Sequence, residues 1–176
     1  RWLNQSNPRL ASLLNELIGT DYIHDASKLK ELEKYKDDSA VLDKLEKIKY
    51  ENKVAMTKYI KEHNGIVVDP NSIFDTQVKR LHEYKRQLMN AVHILATYQY
   101  LLENPNANFT PKTYIFGAKA APGYYFAKEI IKFIVKLGDR INNDKAVYDK
   151  LKVIYLEDYR VTIAEKLIPA SEISEQ

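Results

Sequence analysis

Apolar residues recur every three or four positions through the first third of the chain and gather into short runs thereafter. Leu10, Leu13, Leu14, Leu17 and Ile18 predict a helix that Asn7 caps, Pro8 opens and Gly19 ends. Residues 20–38 are charged, with a short helical patch around Leu29 and Leu32. A longer helix is predicted from Asp38 or Ser39 on the stripe Val41, Leu45, Ile48, Ala55/Met56 and Tyr59, stopping at Asn64-Gly65. The 10 Lys and 8 acidic residues between 28 and 63 fit the solvated faces of such helices.

From residue 66 the pattern changes. Ile66-Val67-Val68 reads as β-like, Asp69-Pro70-Asn71 as a turn, and Ile73–Val78 as a second short strand. Helical periodicity returns over 83–103 through Leu88, Ala91, Val92, Leu95 and Leu102, followed by the loop NPNANFTP. Tyr114-Ile115-Phe116 predicts a buried strand, Ala127–Leu137 an apolar helix, and Val153–Leu156 another strand. A short helix then runs to Ile168, with Pro169 as its stop. Strands alternating with helices predict an α/β fold with a parallel sheet over 66–176, preceded by a helical segment over 1–65 packed on it.

Composition narrows the chemistry. The chain has 176 residues and no Cys, which excludes a disulfide scaffold, a thiolate zinc site and a cysteine nucleophile. No run of apolar residues is long enough for a membrane-spanning helix, so no membrane partner is expected. A net charge of +3 is too near balance to argue for nucleic acid. The four His lack HxxxH spacing, and no metal is expected. Arg1-Trp2 at one end and SEISEQ at the other give the expectation of a piece of a longer protein.

The densest chemical feature is KRLHEYKR, residues 79–86, with four Lys/Arg in eight positions. It follows a predicted strand and opens a helix, where a parallel sheet presents its ligand-binding edge. Cations at that place suit an anion, above all phosphate, which Arg grips with two parallel bonds and Lys as a point charge. GAKAAPGYY, residues 117–125, stands at the next strand-to-helix junction, and its small residues permit close backbone approach. Glu157-Asp158-Tyr159-Arg160 stands at the third. Each alone also reads as an ordinary turn; the argument lies in convergence, with three strand ends expected to bring Lys79, Arg80, Lys85, Lys119 and Arg160 into a single pocket able to hold two phosphates.

FDTQVKRLHEYKRQ (74–87), GAKAAPGY (117–124) and LKVIYLEDYRVTIAEKLIPASEISEQ (151–176) together resemble the C-terminal domain of the α-glucan phosphorylases, the glycogen, starch and maltodextrin phosphorylases. The opening RWLNQSNPRLASLLNELIG is similar as well, so the resemblance covers the whole chain. It implies part of a Rossmann-like domain in a glycosyltransferase-B-type fold. It also implies an enzyme that uses orthophosphate and pyridoxal phosphate to release glucose 1-phosphate from α-1,4-glucan ends with retained configuration. The cofactor phosphate is expected to exchange a proton with the substrate phosphate. Two phosphates about 5 Å apart repel by roughly 3 kcal/mol per pair of unit charges at an effective dielectric near 20, so such a site needs several cations.

By this resemblance Lys79 lies by the cofactor phosphate, Arg80 binds the substrate phosphate, and Lys85 lies between the two. Arg160 is implied as a further ligand of the cofactor phosphate, with Tyr159 beside the cofactor. Tyr84 is implied at the glucosyl unit and Tyr124 at the cleft mouth, where inhibitors stack. Arg80 and Lys85 are the implied catalytic pair. The chain departs from the family pattern at Ala118, where a second Gly is usual, and at Asp158, where Asn is usual. The Schiff-base lysine is expected outside the chain, which predicts that these residues alone are inactive. A cytoplasmic, homodimeric parent is also implied. The alternatives are a nucleotide- or nucleic-acid-binding α/β module using the Lys79–Arg86 edge, or a non-catalytic interaction module built on the charged helices.

Overall fold

The computed structural model describes residues 1–175. Helix α1 (Trp2–Ser6) leads into α2 (Pro8–Ile18), where the Asn7 side chain accepts from the Leu10 amide and Gly19 ends the helix. Residues 21–23 and 26–35 form 3-10 turns rather than an α-helix. Tyr35 ties the second of these back, its hydroxyl donating to the Leu17 carbonyl. Helix α3 (Ser39–Asn64) starts where the Asp38 carboxylate accepts from the Ala40 and Val41 amides. It stops at Gly65, whose φ of 71° is the left-handed conformation that glycine takes without a Cβ penalty.

The remainder is a run of βα units: β1 (Ile73–Val78), α4 (Gln87–Glu103), β2 (Lys112–Gly117), α5 (Tyr125–Asn142), β3 (Leu151–Tyr155), α6 (Val161–Ala170) and β4 (Ile173–Ser174). All neighbouring strands pair in parallel, in the order β3-β2-β1-β4. Residue 73 aligns with 112, and 112 with 151, so the C-terminal ends of β1, β2 and β3 lie side by side.

Both sheet faces are covered, as a parallel sheet requires. On one face Tyr114 and Phe116 of β2 pack with Ile94 and Leu101 of α4 and with Ile130, Ile134 and Ile141 of α5. On the other, Ile115, Phe74 and Ile154 pack with Ile163 and Leu167 of α6 and with Met56 and Ile60 of α3. The alternation along β2 thus divides two cores by the two-residue period of a strand.

The helical segment is also bonded to the sheet. Lys49 donates to the carbonyls of Pro169 and Ser171 at 2.9 and 2.7 Å. Lys53, buried, donates to the Ser72 carbonyl at 2.7 Å and pairs with Glu172 at 2.8 Å. Glu172 in turn accepts from the Phe74 amide.

The α/β class and the helical lead are as the pattern predicts, with local differences. Ile66–Val68 is not a strand; Val68 is buried against the α3 side of the core instead. Helix α4 begins at Gln87 rather than 83, after a 3-10 turn at Glu83–Lys85 and a left-handed Arg86 with φ 61°. Pro169 lies inside the last turn of α6 instead of ending it, where Lys49 takes up the terminal carbonyls. Helix α1 and strand β4 are additions that no periodicity announced.

Candidate phosphate site at the sheet edge

The chain leaves β1 at Val78 and passes directly through the basic cluster. Leu81 is buried and its amide bonds to the Lys119 carbonyl at 3.1 Å, which joins the β1 and β2 junctions. Gln87, 1% exposed, donates to the Arg80 carbonyl at 3.2 Å. Gln77 is likewise buried; it donates to the Lys85 carbonyl at 3.4 Å and accepts from Asn90 at 3.0 Å. These neutral amides satisfy the loop carbonyls from beneath and leave the basic side chains on the outside.

A cleft of about 650 Å³ opens there, lined by Gln77, Lys79, Tyr84, Lys85, Arg86, Met89, Asn90, His93 and Glu175. Its position follows from the topology. β1 connects onward to β2 on one side, whereas β4 arrives on its other side from α6, so the strand order reverses between β1 and β4. Open parallel sheets bind ligands outside the carboxyl ends of their strands at such a reversal. Glu175, beyond β4, is the carboxylate in the lining, against three cations.

The sequence candidates divide between this cleft and its surroundings. Lys79, Tyr84 and Lys85 line it together, with the Lys85 ammonium 5.6 Å from the Tyr84 ring centroid. Arg80 is exposed next to Lys79 and is not part of the lining. Tyr84 is 70% exposed and its ring lies 4.2 Å from that of His82, which meets Tyr124 edge-on at 5.4 Å. Tyr124 donates to Glu83 at 2.7 Å, and that bond raises the phenol's pKa, because the ionised form would lose it.

Arg160 lines a second cleft, of about 410 Å³, with Tyr59, His63, Asn64, Leu156, Glu157 and Asp158. Tyr159 is half-buried with its ring against Gly117, and desolvation raises its pKa. Arg160 and Lys119 both pair with Asp158, at 2.8 and 2.7 Å. The three junctions are therefore bonded in series across the edge: β1 to β2 through Leu81 and Lys119, and β2 to β3 through Lys119 and Asp158. The expected single pocket is therefore not what the structure has: Lys79 and Lys85 share one cleft, Arg160, paired with Asp158, stands in another, and Arg80 lines neither.

Cations on polar, hydrogen-bonded loops suit an oxyanion of the phosphate class. Among the described residues no group of three His, Cys, Asp or Glu could hold a metal ion. No helix among them is long and apolar enough to cross a membrane. Gln77, Met89, Asn90 and Glu175 of the lining, and Gln87 beneath the loop, were not singled out from the sequence.

The profile of the carbohydrate phosphorylase family matches residues 1–176. The muscle form of glycogen phosphorylase from Mus musculus is 49% identical over 176 residues, and that from Bos taurus is 48% identical. The liver form of glycogen phosphorylase from Homo sapiens is 48% identical over the same span. Each match covers 100% of this chain and 21% of the relative, so the chain spans about a fifth of their length. Nothing in these matches favours a nucleotide- or nucleic-acid-binding module.

Proposed function

The chain belongs to the carbohydrate phosphorylase family, and on that premise we propose that it supplies the phosphate-holding edge of an α-glucan phosphorylase. The whole protein would use orthophosphate to release glucose 1-phosphate from α-1,4-glucan ends with retention of configuration. The observation that carries this reading is the cleft at the strand-order reversal, with Lys79, Lys85 and Arg86 on its wall.

In this reading pyridoxal phosphate, when bound, supplies a second phosphate that exchanges a proton with the substrate phosphate. Lys79 would hold the cofactor phosphate, and Lys85 would stand between the two anions and offset their repulsion. Arg80 grips the substrate phosphate with its planar fork. Arg160 and Tyr159 would hold the cofactor from the third junction, where the Tyr159 ring rests on Gly117. Tyr84 meets the glucosyl unit, and Tyr124 stands at the cleft mouth. The lysine that anchors the cofactor lies outside these residues, and the 176-residue chain has no turnover by itself. The whole protein is a cytoplasmic homodimer in the same reading, with residues 1–65 a helical segment packed on the unit formed by 66–176.

Incubating the full-length protein with glucan and orthophosphate tests the proposal. Glucose 1-phosphate should appear only when orthophosphate and pyridoxal phosphate are both present. Absence of phosphate-dependent release would overturn it.

A further inference from the structure

Asp158 sits between two cations delivered by different junctions. Its Oδ1 lies 2.7 Å from Lys119 Nζ. Its Oδ2 accepts from Arg160 Nη1 at 2.8 Å, and the same nitrogen reaches the Asp158 carbonyl at 3.3 Å. The backbone there is left-handed, with φ 47°, a conformation that Asp and Asn tolerate better than other residues with side chains. The turn is held from both sides. The Leu156 amide bonds to the Phe116 carbonyl at 2.8 Å, and Tyr159 packs on Gly117. The carboxylate is therefore aimed at its two partners by a fixed backbone. Its bond to Lys119 holds the carboxyl below the usual range, so it stays ionised at neutral pH.

Such a triad competes with any anion that needs the same donors. Arg offers a limited number of N–H groups on each edge of its fork, and Asp158 already occupies Nη1. It also leaves the three groups with a net charge of +1, where the two cations alone would present +2. Both bridges are solvent-exposed, with side-chain exposures of 56% for each cation and 66% for Asp158. Exposed pairs are weak and reversible. This arrangement can open to admit a stronger oxyanion, but opening it carries a cost.

We propose that Asp158 is a positioning residue that restrains Arg160 and Lys119 in an internal ion triad, which a phosphate-class dianion must open before it engages Arg160. The inference rests on reading this edge as a phosphorylase phosphate site, and it adds a built-in competitor that tunes phosphate affinity.

The test uses the full-length protein with Asp158→Asn and, separately, Asp158→Gly, both of which accept the left-handed backbone. Inorganic phosphate is titrated directly, and KM values are measured for orthophosphate and for glucan. Both variants should bind inorganic phosphate roughly two- to fivefold more tightly, within the range that an exposed pair of this kind carries. The orthophosphate KM should fall accordingly and the glucan KM stay unmoved, a split that general loosening of the fold would not produce. Unchanged or weaker phosphate binding in both variants overturns the proposal. If the unaltered protein lacks phosphorolysis, the functional reading fails by itself. The triad is then judged on direct phosphate titration alone, where tightening upholds it and no tightening overturns it.

Discussion

Gly117 lies directly under Tyr159: a Cβ at residue 117 would stand 3.0 Å from ring carbons Cγ and Cδ2 and 3.1 Å from the tyrosine Cβ. The close contact reaches the root of the tyrosine side chain, so rotating the ring alone cannot relieve it. Gly117→Ala should therefore push the 157–160 turn outward and destabilise the edge by about 1–3 kcal/mol, the usual cost of overpacking. Amide hydrogen exchange of the full-length protein should show faster exchange at 156–161 with α3 unchanged.

Lys53 is buried over the Phe74 ring, at 4.7 Å, while it bonds Ser72 and Glu172. Lys53→Met keeps the apolar stem and removes the charge. The loss of two charge-assisted bonds should cost roughly 2 kcal/mol or more. Because Glu172 also holds the Phe74 amide, exchange should accelerate first at β4 and the start of β1. Protection there equal to that of the unaltered protein would contradict this account.

Asp75 carries the opposite sign of electrostatics. It is 6% exposed, and its Oδ1 has no hydrogen-bond partner among the described residues. Burial first, and the nearby Glu175 charge second, raise its pKa above the ordinary 3.8. A raised acid binds its proton more tightly in the folded state. Its contribution to stability is therefore complete below the unfolded value and is lost as pH rises through the folded one. Asp75→Asn should make little difference near pH 3.5 and stabilise at pH 7, on the order of 1 kcal/mol. Thermal midpoints at the two pH values measure the difference; a destabilised variant at pH 7 would contradict the assignment.

Lys85 and Arg80 separate by position. Lys85 lines the larger cleft and Arg80 stands outside its lining. In the full-length protein, Lys85→Ala should lower kcat about 10²–10³-fold, the scale of losing one preorganised charge contact. Arg80→Lys, which keeps charge but loses the planar fork, should raise the orthophosphate KM more than it lowers kcat.

The order of elements was readable because its punctuation is local. Asn7, Pro8 and Gly19 bound one helix, Asp38 and Gly65 another, and each acts within four residues of itself. β4 was not readable. Its two residues are exposed, and what makes them a strand is pairing with Asp75 and Thr76, far away in sequence. Ile66–Val68 erred in the other direction, since β-branched residues favour extended backbone without supplying a strand to pair with, and only Val68 of the three is buried.

The site divides along the same line. Charge density marked Lys79 and Lys85, and the strand ends marked Tyr159 and Arg160. Arg160 lies in a different cleft from Lys79 and Lys85, paired with Asp158 at a left-handed turn, and neither the pairing nor the turn has a sequence period. The buried amides Gln77 and Gln87 were invisible for a related reason: their partners are loop carbonyls, which every residue possesses.

Two lysines of α3 reach across to carbonyls at residues 72, 169 and 171, and Met56 and Ile60 fill the floor of the second core. A protease that nicked the exposed connection after Gly65 would consequently sever the backbone without separating the pieces. Residues 1–65 and 66–176 would co-elute as a non-covalent pair. Either piece expressed without the other would expose Phe74 or Met56 to water and come off the ribosome as a substrate for chaperones.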